Sequence, residues 1–447
     1  MIRRPTWLLI HRYIGLVMAF FLLVSGITGS LLAFYDELDM AANAQVMTVT
    51  PPSPDAQPLD AVLLREQIQA RYPAALVYWV TLALEPGQTW TYFLEGLPDP
   101  DTGERVDVEN DTLFVNPYTG EVLGARRWGD IRQGLTNLMP FIYLLHYSLA
   151  LGTVGEYIFG IVALLWTLDC FVGAYLTFPA PARAHGNLNP QIPSSRNYRK
   201  KHWLARWWQS WTVRWKRGTY KVNFDLHRAG GLWPWAMLLV LAWSSVGFNL
   251  IEVYKPVMGV FFTGQTRTEH IPDLAKHQPT PPIPWTQALV IGQGLMATEA
   301  RRQGFEVLTA KALSYDPEKG LYRYIVKSDR DIADHGGATS IWFDATTGNQ
   351  RAIYLPTGAA SGDTVSNWLF ALHMAKVGGV AFQVFVSVMG IAVAMLSITG
   401  VVIWWKKRTS RQQYQIRQTK TSPLESSHPS HPSIEWESSV ARKQSLL

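Results

Sequence analysis

Four stretches of the chain carry almost no charge: residues 14–34, 157–178, 232–251 and 377–405. Each matches the ~20 apolar residues that an α-helix needs to cross a bilayer, so the pattern predicts four membrane-spanning helices. The intervals after the first and third stretches read differently. Residues 59–71 and 284–302 have helical character, while "VYWVTLAL", "TWTYFLEG", "EVLTAKALSY" and "LYRYIVKS" are β-branched or aromatic runs bounded by Gly, Pro and Asp. A small α+β module is expected in each interval. Residues 51–58 and 279–284 are Pro-rich linkers, and the Ser-, His-, Gln- and Pro-rich tail after Arg411 has the composition of a disordered segment.

The two halves of the chain repeat one another. "HRYIGL" opens the first and "HRAGGL" the second, which aligns His11 with His227 at an offset of 216. "LFVNPYTGEVLG" and "IWFDATTGNQRA" are both strand-turn-strand signals, with Gly120 and Gly348 at an offset of 228. Asn116 or Asp344 can start the turn by accepting from backbone two residues on, and the glycine supplies positive φ. "LLHYSLALG" and "ALHMAKVGG" then align His146 with His373 at an offset of 227. Landmarks in one order imply two parallel copies rather than inverted ones. The fold class expected is an integral membrane α-helical protein, four transmembrane helices in two parallel repeats, with two small α+β modules. Its segments are a first span (1–35), a first module (36–139), a short helix and second span (140–179), a basic loop (180–226), a third span (227–251), a second module (252–366), a short helix and fourth span (367–407), and a tail (408–447).

Charge orients this arrangement. Residues 183–228 hold eleven Lys or Arg against the single acid Asp225, Arg3, Arg4 and Arg12 begin the chain, and Lys406, Lys407 and Arg408 close the fourth stretch. Such flanks are expected in the cytoplasm, which places both termini inside and both modules outside. The net charge of +6 does not point to nucleic acid, because the basic residues sit beside spans and alternate with tryptophan in "HWLARWWQSWTVRWKR". An interfacial segment on anionic lipid is the expectation. The first stretch is too long for a signal-peptide core and "LLAFYDEL" offers no A-x-A cleavage pattern, so a retained anchor is expected. The one cysteine, Cys170, excludes a disulfide framework, iron-sulfur clusters and covalently attached c-type haem.

Histidine at a span must lose hydration unless something compensates, so it marks a ligand, a pathway or a satisfied hydrogen bond. Topology puts His11 and His227 at the inner margin and His146 and His373 toward the outer one, two pairs that can each face across the bundle. A span rises about 30 Å, too far for one metal to join the margins. Bis-histidine haem b suits such a pair, because it fills apolar space, takes axial imidazoles and needs no cysteine. A structural zinc site wants four closed ligands, and copper usually adds sulfur donors. The bland alternative is a hydrogen bond to a carbonyl or headgroup. Arg12 and Arg228, each following an inner histidine, are candidates for haem propionates or interfacial anchors. Asp169, the only charge inside the second stretch, is a candidate acceptor for a ligand histidine or a proton-relay group, or equally a buried hydrogen-bonding residue with no such role. Ser25, Gly26, Gly29 and Ser30 allow close approach of a macrocycle or a helix. Solvated side chains are expected for the seven other histidines, His277 among them.

"HRYIGL", "LHYSLALG", "DLHRAGGL" and "ALHMAKVGG", alternating with "NPYTGEVLG" and "DATTGNQRA", resemble the PepSY-associated transmembrane family over nearly the whole chain to Lys407. That family includes iron-regulated bacterial inner-membrane proteins, some of them siderophore reductases holding two haems. The resemblance implies PepSY-like periplasmic modules, haem binding by His11, His227, His146 and His373, and an oxidoreductase that carries electrons from the cytoplasm to reduce ferric siderophores. The long Trp-rich loop and the tail depart from the strict repeat. No G-x-G-x-x-G follows a strand, so the electron donor is expected to be a separate reductase, a small redox protein or membrane quinol. Arg126, Arg127 and Trp128 are candidate substrate contacts near the outer margin. The rival readings are a haem-free transporter subunit and a PepSY-type sensor or regulatory module.

Overall fold

The computed structural model describes residues 3–99, 104–180 and 202–421. Helix α1 (Arg4–Leu32) begins the chain with Pro5 in its first turn, where a missing N–H costs nothing. Two short helices follow, α2 (Tyr35–Ala42) and α3 (Ala44–Met47), then α4 (Ala61–Arg71), capped by Asp60, whose Oδ1 accepts from the Val62 and Leu63 amides. Four strands come next: β1 (Ala75–Thr81), β2 (Trp90–Gly96), β3 (Thr112–Val115) and β4 (Val122–Arg126). The first repeat ends with α5 (Leu138–Ser148) and α6 (Gly152–Thr177), separated by Leu149 and Ala150 at φ of 51° and 55°. That left-handed pair stops α5, because a Cβ there clashes with the following carbonyl.

The second repeat follows the same plan after α7 (Trp203–Trp207). It comprises α8 (Thr219–Leu232), α9 (Trp235–Asn249), α10 (Ile251–Phe261), α11 (Trp285–Gln303), β5 (Val307–Asp316), β6 (Leu321–Ser328), β7 (Thr339–Asp344), β8 (Gln350–Tyr354), α12 (Ser361–His373) and α13 (Gly379–Thr421). Gly120 and Gly348 both adopt φ of 73°. Asn116 and Asp344 each accept, through Oδ1, from the amide two residues on at 2.9 Å, as their turns require.

Three expectations need correction. The two modules are not separate: the strands form one eight-stranded antiparallel sheet in the order β4-β3-β2-β1-β5-β6-β7-β8, joined where Trp79 faces Ser314 and Val80 faces Leu313. One core runs through both halves, and the buried Arg65 of α4 donates to Val77 O and lies 4.4 Å over the Trp285 ring of α11. Second, the third stretch is not one straight span. It breaks at Trp233 and Pro234, and α8 meets α9 at 69°, because Pro234 cannot donate the helical hydrogen bond that would carry α8 onward. His227 thus sits on α8, and α8 already begins at Thr219 inside the expected loop. Third, the tail is helical as far as Thr421, where a disordered segment was expected. Residues 422–447 lie outside the described part.

Among the described residues three helices are each long and apolar enough to span a membrane, α1, α6 and α13, and the bent α8/α9 pair makes a fourth if counted as one span. Their outward faces carry Val17, Phe20, Ile161, Phe171, Val388 and Ile391, all at least half exposed. Apolar faces of this kind need lipid rather than water. Inside, Cys170, Leu238, Ala242 and Val393 form a shared core of α6, α9 and α13. At the α1/α13 contact Ser30 and Ser387 each donate to the other's backbone carbonyl at 2.9 Å, and a Cβ on Gly26 would stand 2.6 Å from Gly390 O. Small residues therefore serve helix packing at Gly26 and Ser30.

Candidate functional site

The four repeat-matched histidines meet in two pairs. The His11 and His227 ring centres lie 6.1 Å apart with planes inclined at 53°, and those of His146 and His373 lie 6.3 Å apart at 79°. Along α1 the two levels are marked by His11 and by Thr28, which bonds His146; seventeen residues correspond to about 25 Å of helix rise.

Nδ1 is engaged in every ring. His11 Nδ1 lies 2.9 Å from both oxygens of Asp169 on α6, and since a carboxylate only accepts, Nδ1 carries the proton. His146 Nδ1 meets Thr28 Oγ1 at 3.0 Å, and His373 Nδ1 meets Ser244 Oγ at 2.6 Å. His227 Nδ1 meets Thr399 Oγ1 and Leu396 O, both at 3.1 Å. The three hydroxyls donate their own protons one turn back, to Val24 O, Val240 O and Met395 O, so their oxygens are left to accept from imidazole. A hydrogen-bonded Nδ1–H fixes the tautomer that leaves the Nε2 lone pair for a ligand.

Glycines shape the surroundings. A Cβ on Gly173 would lie 3.6 Å from His11 Cε1, one on Gly400 3.2 Å from His227 Cε1, and one on Gly29 2.9 Å from His146 Cε1. Gly173 and Gly400 stand at the histidine offset of 227, and Thr28 and Ser244 at the offset of 216. An apolar groove of about 520 Å³ between α1 and α13, lined in part by Leu23, Ile27, Ala394 and Ile398, reaches Thr399.

This donor set can be tested against a shared metal. Two nitrogens each about 2 Å from one metal, in five-membered rings of bonds near 1.33 Å, put the ring centres about 6 Å apart. Both pairs have that spacing. Edge-to-face ring packing tolerates roughly 4.5–7 Å and accounts for the distance alone, but not for an Nδ1 acceptor at all four positions. Among the described residues no group of three or more His, Cys, Asp or Glu converges on one point, so the pairs do not build a closed zinc site. The residues would suit a macrocyclic iron held by two imidazoles.

A family model for the PepSY-associated TM region matches residues 8–407. The chain belongs to that family. The matched residues span both halves and include all four histidines. No curated protein matches the chain.

Other residues of interest fall differently in this PepSY-associated protein. Arg228 donates to Asp225 at 2.9 Å and to Gln209 O at 2.6 Å, which makes it a structural anchor, while its Nε is buried with no hydrogen-bond partner among the described residues. Arg12 is half-buried beside His11. Arg126, a candidate substrate contact, is instead committed to Asp39 at 2.9 and 3.0 Å, both side chains being buried. Arg127 pairs with Asp107. Trp128 packs 5.7 Å from Tyr143, one turn before His146 on α5. His277 departs from the expected solvated state, its Nε2 being buried without a hydrogen-bond partner among the described residues. Thr28, Ser244 and Thr399 were not singled out in the sequence. The repeat offset that aligned the histidines would have found the first two.

Proposed function

We propose that the chain is a di-haem b membrane reductase, passing electrons from the cytoplasmic to the periplasmic side, where a ferric siderophore takes one electron and releases iron(II). The single observation that carries this reading is the pair of facing imidazole couples, 6.1 and 6.3 Å between ring centres, each ring held by Nδ1. Bound at each couple, haem supplies one-electron redox chemistry. The chain does the rest. His11 and His227 would hold haem through Nε2 at the level of the basic flank, His146 and His373 would do so toward the sheet, and the apolar helices exclude water between them. Two sites about 25 Å apart along α1 divide the membrane into shorter electron steps.

The basic flank orients the conduit. Arg4 donates to Leu176 O and Phe178 O, Trp207 Nε1 to Thr177 Oγ1, and Trp233 Nε1 to Trp211 O, so Arg4 and the Trp-rich segment gather where α6 ends. Trp208 and Trp215 are 68% and 69% exposed there, as interfacial tryptophans should be. The positive-inside bias makes this the cytoplasmic end, with the sheet in the periplasm of an inner membrane. A cytoplasmic reductase or membrane quinol serves as donor.

A transporter reading gains support from one feature, the 69° break between α8 and α9. The break holds Trp233 and Pro234 and no ionisable group, whereas a transport site needs polar groups at its broken helix. Purified full-length protein decides between them. A reduced spectrum with haem b bands, and reoxidation on adding ferric chelates after dithionite reduction, is the expected result. A colourless preparation from haem-replete cells refutes the reductase. In that assay His373→Ala is expected to keep the inner haem and lose chelate-driven reoxidation; with a quinol or reductase donor in place of dithionite, His11→Ala is expected to keep the outer haem but lose its reduction from the inner side.

A further inference from the structure

The two histidine couples are alike in spacing but not in what holds them. Both outer rings donate to neutral hydroxyls at equivalent positions, Thr28 and Ser244. The inner couple breaks the symmetry. Position 169 of the first repeat corresponds to 396 of the second at the offset of 227. Asp169 offers His11 a carboxylate, while Leu396 offers His227 only its backbone carbonyl, beside the Thr399 hydroxyl. Asp169 is buried, its side chain 9% exposed, against 28% for that of His11.

We propose that Asp169 is a positioning residue that makes the inner haem the weaker oxidant of the two, so that electrons run downhill from the His11/His227 couple to the His146/His373 couple. The inference rests on the di-haem reading and deepens it. A carboxylate accepting from Nδ1–H draws the proton and makes the opposite nitrogen a stronger donor to iron, which favours the ferric over the ferrous state. The fixed negative charge acts in the same direction, because oxidised iron carries one more positive charge, and a buried setting screens it weakly. Neutral hydroxyls at Thr28 and Ser244 provide neither effect. In the step itself one electron leaves inner iron(II) and reduces outer iron(III), with no proton or bond exchanged.

The test is an optical redox titration of the purified full chain, followed at the reduced haem bands. Wild type is expected to give two midpoint potentials. Asp169→Asn keeps an oxygen to accept from Nδ1 but removes the charge, and should raise the lower potential while leaving the higher one in place. Should that variant lose the inner haem, Thr399→Asp places a carboxylate against His227 instead and should lower the lower potential further. Two haems in wild type with neither potential moved by the substitution, or with the higher one moved, overturn the inference and leave the di-haem reading standing. A wild-type chain without two haems overturns both.

Discussion

Thr28→Val probes the outer couple most cleanly, since it preserves the shape of the side chain and deletes one oxygen. That oxygen receives the His146 Nδ1–H at 3.0 Å while its own proton goes to Val24 O at 2.7 Å. Without it a buried imidazole N–H has no acceptor, at a cost of about 1–3 kcal/mol. The penalty corresponds to a loss of roughly 5- to 150-fold in affinity for the group His146 binds. It agrees with the roughly 10- to 100-fold cost of removing hydrogen-bond partners behind metal-bound histidine. Titration of haem-stripped protein with haemin resolves the two sites. The weaker-binding site in Thr28→Val should be the one lost in His146→Ala, with the inner affinity unchanged. Ser244→Ala should behave alike through His373, and Thr28→Ser should restore binding. An outer affinity equal to wild type in both Thr28→Val and Ser244→Ala would refute the role given to these hydroxyls.

Further outcomes follow from the sheet and its supports. Asp39→Ala strands buried Arg126 and should destabilise the fold by about 3–5 kcal/mol, measured as the loss of protease resistance with rising denaturant. Gly120→Ala and Gly348→Ala force an L side chain to φ of 73° and should each cost about 1–2 kcal/mol, in similar amounts because the turns are equivalent. Burial alone would raise the Glu299 carboxyl, yet hydrogen bonds from Arg302, Gln303 and Gln350 hold it below its ordinary value of 4.5. A depressed carboxylate contributes stability that is full above its unfolded pKa and disappears as the pH falls through the folded value. Wild type should therefore lose more stability than Glu299→Gln below pH 4.5, in unfolding curves taken across that range.

Much of this architecture could be read in the residues. Long uncharged runs mark α1, α6 and α13 because lipid demands them, and the Asn116 and Asp344 turns announce themselves through an Asx acceptor four residues before a glycine. The facing of His11 with His227 and of His146 with His373 followed from parallel duplication alone. What was hidden depends on long-range geometry. Nothing local shows that β1 will pair with β5 rather than remain an edge, since any strand edge offers the same unpaired amides and carbonyls. Pro234 was visible, but proline occurs within straight membrane helices too, and only packing decides whether it bends them. The helical extension to Thr421 lies in a polar segment whose composition resembles that of a coil. Asp169 was identifiable as a lone charge in an apolar run, whereas its partner His11 lies 158 positions away.

Haem content of double variants tests the central pairing most directly. The pyridine haemochrome of each purified protein gives haem per chain. Wild type should hold two, His11→Ala combined with His227→Ala one, and His11→Ala combined with His146→Ala none. One haem retained in the last variant, or none in wild type, contradicts the pairing of imidazoles across the repeats.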